Sequence, residues 1–401
     1  SMTCSNVQGK GAESLEEKEG NEDAENKVEE DESMNVLNDR RVFTYIERTN
    51  EFDENYINII LNFKKLNIKS EQIFDDIVSA NKISIIDDIK KAQKELERIS
   101  RGKSNYHLYK KELTTQNNIE NLKYDNSKHL SVIWELDLSF NYFTEISIDD
   151  ILSILFKNDI IKEKGILHLN NLRALNLRKN YLNKVPYVCK YTLTQLRILC
   201  LSHNELGGLG NICQGNIAKE EGAEGEGVQE NEAEVENMPV DEGILNENFP
   251  NLEHVYFQNN KIESFIFLKC LLNKHKKITH INISFNKISS FKSFPYLKNL
   301  KYFDLSFNTE LLLYNDNEED ERRKREEITM EMEQQNIFNN KYFSLPLNYD
   351  KQDFLIYNFL MLLKHSFPNL QKINIKHTPT YSLIKHKINR ENKNEFIYYP
   401  F

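Results

Sequence analysis

The sequence contains no apolar run near the ~20 residues that a helix needs to cross a bilayer. Its amino-terminal stretch is acidic, so it does not read as a signal peptide. Lys and Arg number 52 against 62 Asp and Glu, for a net charge of -10. No cationic excess is left to neutralise phosphates, so nucleic acid is not an expected partner. The short basic cluster at 274–277 reads as solvated. The five cysteines, Cys4, Cys189, Cys200, Cys213 and Cys270, form no CxxC pair and no His/Cys metal spacing. Odd in number and scattered, they point to free thiols in a reducing compartment. There is no GxGxxG, Walker A, GxSxG, HExxH or EF-hand loop. These absences lead us to expect a cytoplasmic, monomeric, non-enzymatic protein with no cofactor, no metal and no membrane contact. The 13 glycines and 8 prolines are few beside abundant Lys, Asn, Ile, Tyr and Phe. That reflects genome composition and excludes no function.

What the chain does have is a recurring stretch, first clear at 133–146, IWELDLSFNYFTEI. Leu136 and Leu138 alternate with Glu135, Asp137 and Ser139, as a short strand with one buried face would. Asn141 suits a sharp turn because its amide can bond nearby backbone. Phe143 and Ile146 return the chain to the interior. The pattern recurs at 172–185, 196–209, 252–265, 278–291, 300–313 and 370–380. The turn residues are Asn180, Asn204, Asn260, Asn286 and Asn308, with Thr378 in the last unit. Glu310 stands where the sixth unit should place an apolar residue. One such unit cannot bury its apolar face alone, so seven predict a stack.

The spacing predicts an α/β solenoid with a parallel, concave β-sheet. Residues 1–38, acidic and almost without aromatic or β-branched content, read as a disordered tail. Residues 39–117 read as a helical amino-terminal cap of two or three helices. In it Ile85, Ile86, Ile89, Ala92, Leu96 and Ile99 recur at helical intervals. The repeat domain spans 118–401, with a further degenerate strand expected at 119–124. Ser147 and Asp150 form a capping-box start for a helix in the first long spacing. The insertion at about 211–246, rich in Glu and Gly, reads as a disordered loop, and that at about 314–350, of mixed charge, as exposed helix or no regular structure. The apolar segment 354–363 should pack behind the final coil, and the aromatic tail FIYYPF should close that end.

Stacked parallel strands turn equivalent positions into columns across the concave face. The third-place column is Glu135, Ala174, Ile198, His254, His280, Tyr302 and Lys372. The fifth is Asp137, Asn176, Cys200, Tyr256, Asn282, Asp304 and Asn374. The eighth is Phe140, Lys179, His203, Asn259, Phe285, Phe307 and His377. The candidate partner-binding residues are Glu135, Asp137, Asn176, Arg178, His203, His254, Tyr256, His280, Asn282, Phe285, Tyr302, Asp304 and Phe307. Aromatics beside polar groups are what protein interfaces use as anchors. Phe285 and Phe307 either serve a partner or fold over the turn onto a neighbour. His254 and His280 share a column, so their rings can meet, but two histidines without a third ligand do not make a metal site. Cys200 reads as a small concave-face residue, not a nucleophile.

The seven units resemble the intracellular leucine-rich repeat family, which implies a curved solenoid that binds another protein. A narrower resemblance lies in the order VIWELDLSFNYFTEI, LNNLRALNLRKNYLNKVP, TLTQLRILCLSHNEL and FPNLEHVYFQNNKI. This order is similar to the repeat domain of tubulin-folding cofactor E, which implies tubulin as partner and a chaperone role. The alternative is a regulatory or scaffold subunit of a phosphatase or an axonemal dynein-type complex.

Overall fold

The computed structural model describes residues 43–49, 56–100, 131–186, 188, 190–207, 242–291, 293–313, 351–385 and 397–398. Among them, ten strands form one sheet in which spatial order follows chain order. They are β1 (Phe43–Thr49), β2 (Tyr56–Asn62), β3 (Ser131–Asp137), β4 (Leu172–Asn176), β5 (Ile198–Cys200), β6 (His254–Tyr256), β7 (His280–Asn282), β8 (Tyr302–Asp304), β9 (Lys372–Asn374) and β10 (Ile397–Tyr398). β2 to β9 are all parallel. β1 and β10 close the two edges in antiparallel fashion. Each strand pairs only with its sequence neighbours, the mark of a repeat-like α/β architecture. The helices are α1 (Glu71–Ser100), α2 (Ile148–Lys157), α3 (Leu245–Asn248), α4 (Ile266–Leu272), α5 (Lys351–Ser366) and α6 (Pro379–Ile384).

The expected helical cap is corrected over its first part. Residues 43–49 and 56–62 are strands of a hairpin that joins the sheet, and helix begins only at Glu71. Ile59, Leu61 and Phe63 are fully buried, while Ile60 between them is half-buried. With apolar residues on both faces the two-residue period is hidden, and it is the β-branched content that favours the strand. β2 is thus one more coil ahead of the first recognised unit, with Leu66 where the others carry Asn. The tail 1–38, the strand expected at 119–124, most of the insertion at 211–246 and the insertion at 314–350 lie outside the described residues.

The asparagines hold the coils together by one repeated device. Asn204 Nδ2 donates to Leu201 O of its own coil and to Leu177 O of the coil before, both at 3.0 Å. Its Oδ1 accepts from Leu182 N at 3.0 Å. Asn180, Asn260, Asn286 and Asn308 make the same three bonds one coil along. Asn141 serves Phe63 O, Leu66 N and Ile68 N of the unrecognised coil. All six are buried. A turn amide that satisfies two carbonyls and an N–H removes three unpaired backbone groups from the interior. Thr378 bonds only within its own coil, to Ile375 O and from Tyr381 N. Thr380 Oγ1 supplies the bond back to Leu311 O, at 2.8 Å.

The core runs the length of the stack as rows of like residues. Leu136, Leu175, Leu199, Val255, Ile281, Phe303 and Ile373 form one row, and Leu138, Leu177, Leu201, Phe257, Ile283, Leu305 and Ile375 the next. In the sixth coil Leu311 is fully buried and Glu310 exposed, so its turn holds one extra residue. Helix α2 begins where expected, with Ser147 Oγ accepting from Asp150 N. It packs beside α1, tied by Lys157–Asp75 at 2.7 Å and Lys82–Asp159 at 3.1 Å. Phe359 of α5 packs on Phe291, and Phe367, just past the end of α5, packs on Phe294 and Phe303 behind the last coils.

Candidate functional site

Strand pairing aligns the concave columns. Glu135, Ala174, Ile198, His254, His280, Tyr302 and Lys372 are consecutive register partners. So are Asp137, Asn176, Cys200, Tyr256, Asn282, Asp304 and Asn374. Their surroundings divide the face. Toward β3 to β5, Glu135, Asp137, Ala174, Ile198 and Cys200 are buried. Glu135 Oε1 accepts from Asn58 Nδ2 at 2.6 Å. Glu135 and Asp137, expected to meet a partner, are therefore corrected: burial withdraws both.

The fifth column has a structural duty that sequence spacing does not reveal. Asp137, Asn176, Asn282, Asp304 and Asn374 each accept, through Oδ1, the backbone N–H two residues on. Asn62 does the same for Lys64. These are Asx turns, and they end β2, β3, β4, β7, β8 and β9. Asn282 and Asp304 also accept from the hydroxyls of Ser284 and Ser306, at 2.7 Å each. The signal is present in the sequence as Asp or Asn between the two core apolar residues of the strand in five of the seven units, with Cys200 and Tyr256 in the other two.

Toward β6 to β9 the face opens. Registered strands lie about 4.8 Å apart, which is also a stacking distance for rings. Two ladders result. His254 lies 4.2 Å from His280, and His280 lies 4.4 Å from Tyr302 at 18°. Phe285 lies 4.1 Å from Phe307 at 9°, and Phe307 lies 4.1 Å from His377 at 20°. Phe285, Tyr302 and Phe307 are 46%, 39% and 36% exposed. The two readings of the phenylalanines merge: they pack on one another along the column and remain partly open to solvent. Beside them, Tyr256, His280, Asn282, Tyr302, Asp304 and Lys372 line a recess of about 250 Å³.

The eighth column carries a backbone feature unseen from sequence. Phe140, Lys179, His203, Asn259, Phe285, Phe307 and His377, with Lys65 of the added coil, all have positive φ between 54° and 60°. Each N–H from Lys65 through Phe307 donates to the seventh-place carbonyl of the next coil. Only one of the eight is Asn and none is Gly, so each bears the steric cost of the left-handed region. The inter-coil bonds hold it there.

His203, His254 and His280 are neutral at physiological pH. Burial, with smaller electrostatic contributions from His280 and Arg173, pushes His254 down to about 4. Burial and then the charge of Lys301 do the same for His280, and burial with Arg178 and Lys179 for His203. His280 Nδ1 lies 2.8 Å from Thr279 Oγ1. Among the described residues no group of three or more His, Cys, Asp or Glu could hold a metal ion, and no helix is long and apolar enough to cross a membrane. Of the expected site residues, His254, Tyr256, His280, Asn282, Phe285, Tyr302, Asp304 and Phe307 gather on the open half. Asn176, Arg178 and His203 sit half-buried toward the other. No family model and no curated protein matches the chain.

Proposed function

We propose that the chain is a non-enzymatic protein-binding solenoid of the leucine-rich repeat type, and that another protein docks on its sheet at β6 to β9. The observation that carries this reading is the pair of ring ladders. Tyr302 on β8, and Phe285 and Phe307 in the turns that follow β7 and β8, remain exposed next to a recess rimmed by Tyr256, Asp304 and Lys372. Aromatics held in fixed rotamers by stacking lose little entropy on binding, and polar groups at the rim fix orientation. The strand–turn units and their asparagine bonds support the repeat type.

The sequence resemblance to the repeat domain of tubulin-folding cofactor E makes tubulin the first partner to test, in a chaperone role. In a lysate pull-down with the full chain, recovery of α-tubulin is expected. Recovery of a phosphatase or dynein chain without tubulin rejects that partner. Tyr256→Ala with Tyr302→Ala should abolish capture with thermal stability unchanged; retained capture rejects the face.

A further inference from the structure

The ring of Phe140 gathers three lysines. Lys64 and Lys179 place Nζ 4.7 Å from its centroid and Lys65 places Nζ 5.4 Å away. No two of these ammonium groups can be more than about 10 Å apart, roughly one Debye length at 0.1 M salt, so each feels the others. All three lysines are exposed, and among the described residues none is paired with a carboxylate. Arg178 is adjacent, its Nε buried without an acceptor. Lys65, Phe140 and Lys179 occupy successive left-handed positions of the eighth column. The same column continues through His203 and Asn259 to the stacked Phe285, Phe307 and His377. One edge of the sheet thus carries a concentrated positive charge at one end and partly exposed aromatic rings at the other, on a chain whose net charge is -10.

We infer that this edge binds an acidic peptide segment of a partner, with carboxylates among Lys64, Lys65, Lys179 and Arg178 and an aromatic residue against Phe285 and Phe307. This rests on the protein-binding reading above and adds the chemistry and direction of the bound segment. Charge complementarity argues for the acidic end: an anion placed among three mutually repelling ammonium groups interacts favourably with all of them. A nucleic acid fits poorly. Base recognition by stacking needs an open ring face, whereas the faces of Phe307 are occupied by Phe285 and His377 at 4.1 Å. The net charge of the chain also repels a long polyanion. The two ends are four strand spacings apart, about 19 Å. An extended chain covers that in about six residues.

The test uses the full chain and a fluorescein-labelled peptide of four glutamates, a six-residue Gly-Ser spacer and two phenylalanines, read by anisotropy at low and moderate salt. Tight binding that weakens with salt is expected, with at least a tenfold loss when the glutamates become glutamines. Lys64→Gln with Lys65→Gln and Lys179→Gln should cost a similar factor and flatten the salt dependence. Phe285→Ser with Phe307→Ser should weaken this peptide but not one that lacks the phenylalanines. Equal binding of the glutamine peptide, or of an oligouridylate of matched charge, overturns the proposal without recourse to any variant. Loss of a captured partner in Tyr256→Ala with Tyr302→Ala, beside an unchanged partner affinity in the triple lysine variant, also overturns it and leaves the protein-binding reading standing.

Discussion

Phe285 and Phe307 lie face to face at 4.1 Å and 9°, because the coils that carry them are neighbours and both residues sit in the left-handed region at the same turn. Phe307 is stacked again on its other side by His377. A ring held between two others is more costly to remove than one at the end of the column. Phe307→Ser should therefore destabilise the fold more than Phe285→Ser. A double-mutant cycle between Phe285 and Phe307 should give a coupling of about 0.5–1.5 kcal/mol by denaturant unfolding. A coupling near zero would show that the rings do not stack in solution.

Asn204→Leu keeps the side-chain size but leaves Leu182 N–H and the carbonyls of Leu177 and Leu201 without their partner. Each buried orphan costs about 1–3 kcal/mol, so the loss should be about 3 kcal/mol or more. Asn183→Leu, at an exposed site in the preceding turn, should change stability by no more than about 0.5 kcal/mol. Chemical denaturation followed by circular dichroism compares the two. Similar small losses would refute the inter-coil role of the turn amide.

Lys179 has φ of 54°. A glycine there escapes the clash that any Cβ makes in the left-handed region, whereas alanine does not. Lys179→Gly should exceed Lys179→Ala in stability by about 1 kcal/mol. Both remove the ammonium group over Phe140 equally, so the difference isolates the backbone. An alanine variant as stable as the glycine variant would contradict the strained turn.

His203, His254 and His280 have folded-state values near 4 against an ordinary 6.5, chiefly through burial. Between those values the unfolded chain binds protons that the folded chain does not. Their contribution to stability is thus fully present above pH 6.5 and is lost as pH falls toward 4. Denaturant midpoints should drop between pH 7 and pH 5, and drop less in His254→Gln with His280→Gln. Parallel pH profiles for the two proteins would show that these rings titrate normally.

The repeated strand and turn were legible because burial on one face of a short strand imposes alternation, and because one amide can satisfy three backbone groups only from one place. Leu136, Leu138, Asn141 and their equivalents announce both facts in the sequence. The register columns followed, since parallel strands stacked in chain order leave no other pairing. The added coil at β2 was not legible: Ile60 puts an apolar residue on the second face, and Leu66 replaces the asparagine. Its backbone is served by Asn141 from the next coil, a bond that no local pattern encodes. Tertiary packing alone decided which columns remain open. Glu135 and Asp137 share their columns with Tyr302 and Asp304, yet the first pair is buried and the second lines a recess. Sequence periodicity gives the direction of a side chain; exposure depends on what packs over it, and in this chain that differs from one end of the sheet to the other.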